Sequence, residues 1–457
     1  MRHFKLALTV MAAAVIAGCG GSDPRPGDQT PKTKYSAEVI FGDSLVDVGT
    51  YKVGTVAAIG GGRFTINGDN TAVNPTLTGK IWPELIAAQL GLPAPCAAVT
   101  GLDGDATKGF SVPVQVHTGC YGYGQGGSRV SNPVGIGNKL TGSPLGALTY
   151  PFTTQVANHL AAVGGKFKGD EIIFVLTGNN DLLVGMQQLG DAATAAGTAA
   201  GKTAFVTSLA TQLAAGATNP ATAVQSISIA MATEAARPGS TDQTVVTAAV
   251  TAAVLAGNTA ASSPAVYGPM VVKAQADASA AGTKAGTDYF AANAPGVVQA
   301  VATAASQIVS TVKTQLIGNG ANFVTVVGMP DVATTPAGRA TTDAGRSVIN
   351  AAVKAFNDTL TAGLGSESKV LLIDAYTLTH DQATNPGIYG LTNSSDPACD
   401  FTPAKNPLGN SLGCNATNLV AGDVSHYAFA DSVHPTPYLG LQAARYISER
   451  LIAKGWM

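Results

Sequence analysis

Four short, nearly continuous apolar runs punctuate the chain: Glu38-Val39-Ile40-Phe41, Glu171–Thr177, Asn322–Gly328 and Lys369–Asp374. Runs of this length without polar alternation predict strands buried on both faces. Helical stretches precede the later runs, as at Val297–Ile317 and Ser347–Leu364. Trp82–Leu90 also has helical spacing, with Pro83 tolerated in its first turn and Gly91 as a stop. Buried strands alternating with helices predict an α/β sandwich around a parallel sheet. Side chains that do chemistry in such sheets sit just beyond the carboxyl ends of the strands. Ser44 and Asn180 both fall there.

Residues 191–300 break the pattern. They hold 35 Ala and nine charged residues in 110, with Gly and Pro between helical pieces. Phe205, Leu209 and Leu213 recur at helical spacing. The segment is expected to be a helical Ala/Thr-rich insertion between two core strands, either a cap over an apolar pocket or an appendage packed on the sandwich. Only 12% of the whole chain is charged, with 26 Lys+Arg against 28 Asp+Glu. The 46% apolar content supports a large core and excludes a disordered chain. Without a basic block, nucleic acid is not an expected partner.

The first residues read as a targeting segment. Arg2 and Lys5 precede Leu6–Gly18, an uncharged run of 13 residues. A bilayer-spanning helix needs about 20, so the pattern is that of a secretory signal. It ends in Ile16-Ala17-Gly18-Cys19, which resembles a bacterial lipobox. This predicts a lipoprotein signal peptide over 1–18, lipidation of Cys19 and a flexible tether over 19–36. Gly20 after the cysteine favours the outer membrane by resemblance to lipoprotein sorting. Setting Cys19 aside leaves Cys96, Cys120, Cys399 and Cys414, an even number suited to an oxidising compartment. Three pairings are possible; the local one, Cys96 with Cys120 and Cys399 with Cys414, is the one expected. No CxxC or HExxH spacing is present, which argues against zinc.

Candidate chemistry begins at Asp431-Ser432-Val433-His434-Pro435. A carboxylate three residues before a histidine can accept its Nδ1–H and leave Nε2 as a base. Ser44, at a Gly-Asp-Ser turn after a buried strand, is the matching nucleophile. Such a turn exposes Oγ beside backbone N–H groups, as an oxyanion site requires.

Here the chain resembles a known family. Phe41-Gly42-Asp43-Ser44-Leu45-Val46-Asp47-Val48-Gly49 is similar to the first signature block of the GDSL esterases and lipases, the SGNH hydrolases. Its GDSLxDxG form is the plant- and autotransporter-like variant. Gly126-Gly127-Ser128, Gly178-Asn179-Asn180-Asp181 and Asp431-xx-His434-Pro435 resemble the later blocks, in the family's order. Weaker matches are Gly62-Arg63-Phe64 with Trp82-Pro83-Glu84, and Met329-Pro330-Asp331 with Thr335-Pro336. The resemblance implies a three-layer α/β/α hydrolase domain over 37–457, flavodoxin-like, with a central parallel sheet of about five strands. It implies Ser44, His434 and Asp431 as nucleophile, base and orienting acid. An oxyanion hole would follow from Ser44, Gly127 and Asn180, with Gly126 the alternative to Gly127 because the lead-in Tyr123-Gly124-Gln125 departs from the family's pattern. No metal or cofactor is called for.

Other residues receive plainer readings. Asp43 and Asp47 are expected to stabilise the turn, Asp181 to brace the Asn180 loop and Asp331 to cap a loop. Trp82 and Phe64 belong to the core. His117, His159, His380 and His426 lack a partner at a telling spacing, though His426 could reach the rim of the site. The function implied is a serine esterase or lipase at the cell surface, acting on an ester with an apolar acyl group and held to a membrane by its lipid anchor. Acyl transfer to an alcohol and removal of O-acetyl groups from a polysaccharide are alternatives with the same site. A non-catalytic surface binding protein would be expected to have lost one of the five residues Ser44, Gly127, Asn180, Asp431 or His434, and all are present.

Overall fold

The computed structural model describes residues 33–68 and 79–457. The expected signal peptide, Cys19 and most of the tether lie outside the described residues. In chain order the strands are β1 (Glu38–Gly42), β2 (Val99–Asp103), β3 (Ser111–Val116), β4 (Ile172–Leu176), β5 (Phe323–Val327), β6 (Val370–Ile373), β7 (Asn393–Pro397) and β8 (Tyr427–Phe429). The four apolar runs of the sequence become β1, β4, β5 and β6, a fully parallel sheet in the order β1-β4-β5-β6.

About five strands were expected; among the described residues the sheet has four. The place beside β1 is taken by Tyr121–Tyr123, which pairs without becoming a regular strand. The Ile40 N–H donates to Tyr121 O at 3.0 Å, and the Tyr123 N–H to Ile40 O at 2.8 Å. The segment is hemmed in by the backbone of Cys96: a Cβ on Gly122 would lie 2.8 Å from Cys96 O. The disulfide Cys96–Cys120 ties the same two segments together. With this segment counted second, the order reads 2-1-3-4-5, a doubly wound arrangement with its switch point beside β1.

The helices are α1 (Gly54–Ala58), α2 (Trp82–Gln89), α3 (Phe152–Ala162), α4 (Asn179–Ala214), α5 (Pro220–Ala235), α6 (Asp242–Leu255), α7 (Pro264–Thr311), α8 (Pro336–Ala340), α9 (Asp343–Leu364), α10 (Ala375–Thr384) and α11 (Pro437–Lys454). Alternate strand residues face opposite ways, so each face of the sheet builds its own core. Val39, Phe41, Ile173, Val175 and Val326 pack with residues of α3, α7 and α9. Ile40, Phe174 and Leu176 pack with Trp82 and Ile86 of α2 and Ile447 and Leu451 of α11. Helices therefore cover both faces, which is why the strands carry no polar alternation.

The Ala-rich insertion is helical, as α4 to α7. It starts and ends in the core: α4 begins just past β4, and the last turns of α7 pack on the sheet through Val301 and Ile308. Farther out, Leu209, Leu213, Ile227, Met231 and Val246 form a separate core. The seam between α4 and α7 explains the small residues. A Cβ on Gly197 would lie 2.8 Å from Gly282 O, and one on Gly282 would lie 2.9 Å from Gly197 O. Glycine lets the two backbones approach where alanine would not.

Candidate active site

β1 ends at Gly42, whose φ of +147° and close approach to β4 admit no side chain; a Cβ would lie 1.8 Å from Leu176 O. The chain then turns through Asp43 into a single 3-10 turn, Ser44–Val46. Asp43 Oδ1 accepts the Leu45 N–H at 3.1 Å, and Oδ2 accepts the Asn179 amide at 3.0 Å. Burial raises the Asp43 pKa to about 6, against the pull of those two donors. Among the described residues the Ser44 N–H has no acceptor.

The loop that follows Tyr123 is tied to this turn. The Gln125 N–H and the Ser128 hydroxyl both donate to Gly42 O, at 3.0 and 2.8 Å. Gln155, buried on α3, accepts the Gly42 N–H at 2.8 Å and donates to Gly42 O at 2.8 Å. Asp47 Oδ1 accepts the N–H groups of Gly49 and Thr50, and its Oδ2 accepts that of Gly126 at 2.9 Å. Burial raises the Asp47 pKa, opposed by these backbone donors. The Gly126 N–H is thus committed, while that of Gly127 has no acceptor among the described residues. Gly127 has φ +78°, and a Cβ there would lie 1.9 Å from Ile136 O.

Asn180 comes from the first turn of α4, at the positive end of the helix dipole. Its Nδ2 donates to Ser128 O at 2.8 Å, which leaves the second hydrogen of that amide free. Asp181 braces the same loop, accepting Arg129 Nε–H and the Val130 N–H, each at 2.9 Å.

His434 arrives from the far end of the chain. Its Nδ1 lies 2.7 Å from Asp431 Oδ2 and its Nε2 2.7 Å from Ser44 Oγ. Phe64 packs on its ring with centroids 4.9 Å apart. Asp431 is held by three backbone donors: Val433 and His434 on Oδ1, and Ser411 on Oδ2. Burial alone would raise its pKa. The charge and hydrogen bond of His434, with Ser411 and Val433, outweigh burial and hold the carboxyl well below the usual range. The disulfide Cys399–Cys414 fixes the end of the 3-10 turn Ser411–Gly413, and the Cys399 N–H donates to Ala430 O at 3.1 Å. Both disulfides are the local pairs.

Ser44, Gly127, Asn180, Asp431 and His434 thus meet at one cavity, which Phe64, Ile136 and Leu183 also line. No residue of 191–300 is among those lining it; α4 reaches it only through Asn179, Asn180 and Leu183 in its first turns, ahead of the insertion. A nucleophile, a base oriented by a carboxylate, and unpaired N–H groups in one cavity are the parts of acyl transfer.

Two contributors have no local sequence signal. Gln155 and Ser411 act through side-chain or backbone bonds to residues 113 and 20 positions away. Two histidines read as lacking a partner have one across the fold. His380 Nδ1 lies 2.7 Å from Asp331 Oδ2, and His117 Nε2 lies 2.8 Å from Thr100 Oγ1. Neither histidine lines the Ser44 cavity, nor does His426, which stacks on Tyr438.

No protein-family model matches the chain. An anther-specific proline-rich protein of Arabidopsis thaliana is 30% identical over 129 residues, covering 27% of this chain and 24% of that protein. A GDSL esterase/lipase of Arabidopsis thaliana is 38% identical over 63 residues, 14% of this chain and 16% of its own length. A second GDSL esterase/lipase of that plant is 31% identical over 150 residues, 30% of this chain and 40% of its own. The chain therefore spans well under half the length of these curated relatives. The partial similarities support a relationship to the GDSL esterases and lipases.

Proposed function

We propose that the protein hydrolyses carboxylic esters through an acyl-enzyme on Ser44. The observation that carries this reading is the continuous hydrogen-bonded line from Ser44 Oγ through His434 to Asp431, each step 2.7 Å. With Nδ1–H given to Asp431, Nε2 of His434 takes the Ser44 proton as Oγ attacks the ester carbonyl. The negative oxygen that forms is met by the N–H groups of Ser44 and Gly127 and the free amide hydrogen of Asn180. His434 then gives its proton to the leaving alcohol. A water deprotonated by the same histidine attacks the acyl-enzyme and releases the acid and Ser44. The partial similarity to GDSL esterases and lipases supports the same chemistry.

The test is turnover of p-nitrophenyl acetate by the full chain beside its Ser44→Ala variant, with labelling by a fluorophosphonate mapped by mass spectrometry. The expected result is turnover and a Ser44 adduct, both absent from the variant. An adduct on another residue, or equal turnover by the variant, would reject the reading.

The proposal extends to location. The run Leu6–Gly18 ending at Cys19 supports export with lipidation of that cysteine, and two disulfides suit an oxidising compartment. Incorporation of labelled palmitate into the full chain, lost in Cys19→Ser, is the expected outcome.

A further inference from the structure

A second cavity lies against the first. Its floor is the carboxyl ends of the central strands, through Leu176, Val327 and Ile373, and its walls are α10 and α11, through Leu378 and Leu439. Its cavity volume is about 130 Å³. Four residues line both cavities: Leu45, Pro330, Thr335 and Val433. Leu45 follows the nucleophile and Val433 precedes the base, so the partition is built from the catalytic loops themselves.

We propose that this cavity is the site for a linear apolar chain of the ester substrate, which passes the Leu45–Val433 partition from the carbonyl held at Ser44. The proposal rests on the esterase reading above for the position of that carbonyl. Protein interiors pack to the density of organic crystals, and an unfilled apolar space costs stability. An apolar void that shares its wall with the nucleophile's cavity is what an apolar ligand would fill. Since the helical insertion does not line the Ser44 cavity, chain-length selection falls to the walls formed by α10 and α11.

The experiment uses the full chain, two cavity-filling variants and two substrate series. One series lengthens the acyl group from acetate through hexanoate to dodecanoate with a constant alcohol; the other lengthens the alcohol on a constant acetyl group. In one series kcat/KM is expected to climb by about three- to fourfold per added methylene until the cavity is full. The series that climbs tells whether the cavity takes the acyl or the alcohol side. Ala443→Phe on α11 and Ala383→Phe on α10 place a ring in the cavity from different walls, away from the reacting groups. Either is expected to lower turnover of the long ester by about tenfold or more while leaving ethyl acetate turnover near wild type. Binding of dodecanoate and dodecanol to Ser44→Ala, measured by calorimetry, is expected to vanish when Ala443→Phe or Ala383→Phe is added.

Turnover of acetate with the same length profile in wild type and both variants would overturn the cavity assignment and leave the esterase reading intact. Absence of turnover on every ester, with chain binding that the ring variants abolish, would keep the cavity and overturn the esterase. A variant that fails to fold shows itself by losing acetate turnover as well, and the other wall then decides.

Discussion

The N–H of Gly126 donates to Asp47 Oδ2 at 2.9 Å, while the next N–H, that of Gly127 at the Ser44 cavity, has no acceptor among the described residues. On the esterase proposal, Asp47 is a positioning residue for an oxyanion donor it never touches. Replacing it by Asn sets an amide NH₂ against either Gly126 or the Gly49 and Thr50 donors on the other oxygen. The 125–126 peptide, next to the one that carries the Gly127 N–H, loses its anchor, yet no charge is left buried. Asp47→Asn is therefore expected to lower kcat by about 10–100-fold, less than loss of a direct donor, with KM and the unfolding temperature changed far less. Steady-state kinetics beside a thermal melt checks it; equal loss of both would make Asp47 merely structural.

Asn180 has a divided amide. One hydrogen holds Ser128 O at 2.8 Å, and the other, which the esterase proposal assigns to the oxyanion, has no acceptor among the described residues. Asn180→Ala removes the free donor and also frees the 126–128 loop. The expected loss is about 10²–10³ in kcat, with a smaller change in KM because the neutral carbonyl depends on this donor less than the oxyanion does. Stopped-flow measurement of the acylation burst would locate the loss in the first chemical step. A change in KM alone would remove Asn180 from the oxyanion site.

The local and the distant parts of the site differ in how readable they were. Ser44 follows an apolar strand within three residues, and Asp431 and His434 share one short loop, so each is a pattern in a few consecutive letters. Gln155 and Ser411 depend on contacts that no spacing encodes. The sheet shows the same limit. Its four apolar strands are plain in the sequence, but Tyr121–Tyr123 pairs with β1 in a form too irregular to show an apolar run, held there by its bonds to Ile40, the neighbouring disulfide and the burial of Tyr123 on Phe41. His380 finds Asp331 only because α10 packs beside the loop after β5. The choice between Gly126 and Gly127, open in the sequence, turns on one hydrogen bond from Asp47's partner loop. The small residues of the insertion announced helices, while their role in the α4–α7 seam needed the pairing of Gly197 with Gly282.

His159 is 1% exposed, and neither ring nitrogen has a hydrogen-bond partner among the described residues. Phe41, Tyr121, Tyr123 and Phe167 surround the ring, with centroids 4.8–5.7 Å away. Burial pushes its pKa down to about 4, so the folded protein keeps it neutral where the unfolded chain, with a value near 6.5, takes up a proton. The unfolded state then binds more protons, and stability falls as pH drops from about 6.5 towards 4. The loss amounts to about 3 kcal/mol at the lower end. His159→Phe keeps the aromatic packing and removes the titration. Its melting temperature is expected to decline less than that of the wild type between pH 7 and pH 4.5. Parallel curves would rule His159 out as the source of acid sensitivity.

Glu38 gives the opposite slope. It opens β1, is 7% exposed, and neither carboxyl oxygen has a partner among the described residues. Burial, reinforced by the charge of Glu84, raises its pKa well above the ordinary value. The folded protein holds the proton while the unfolded chain gives it up near pH 4.3–4.5, so over that interval the folded state binds more. Stability from this site is present below that pH and is lost as pH rises. Each unit between the two pKa values costs about 1.4 kcal/mol. Glu38→Met has similar length and needs neither a proton nor a partner. It is expected to melt higher than the wild type at pH 8, by several degrees, and to differ little at pH 4. The reverse order, with the variant weaker at pH 8, would mean that the carboxylate is ionised and satisfied in the fold.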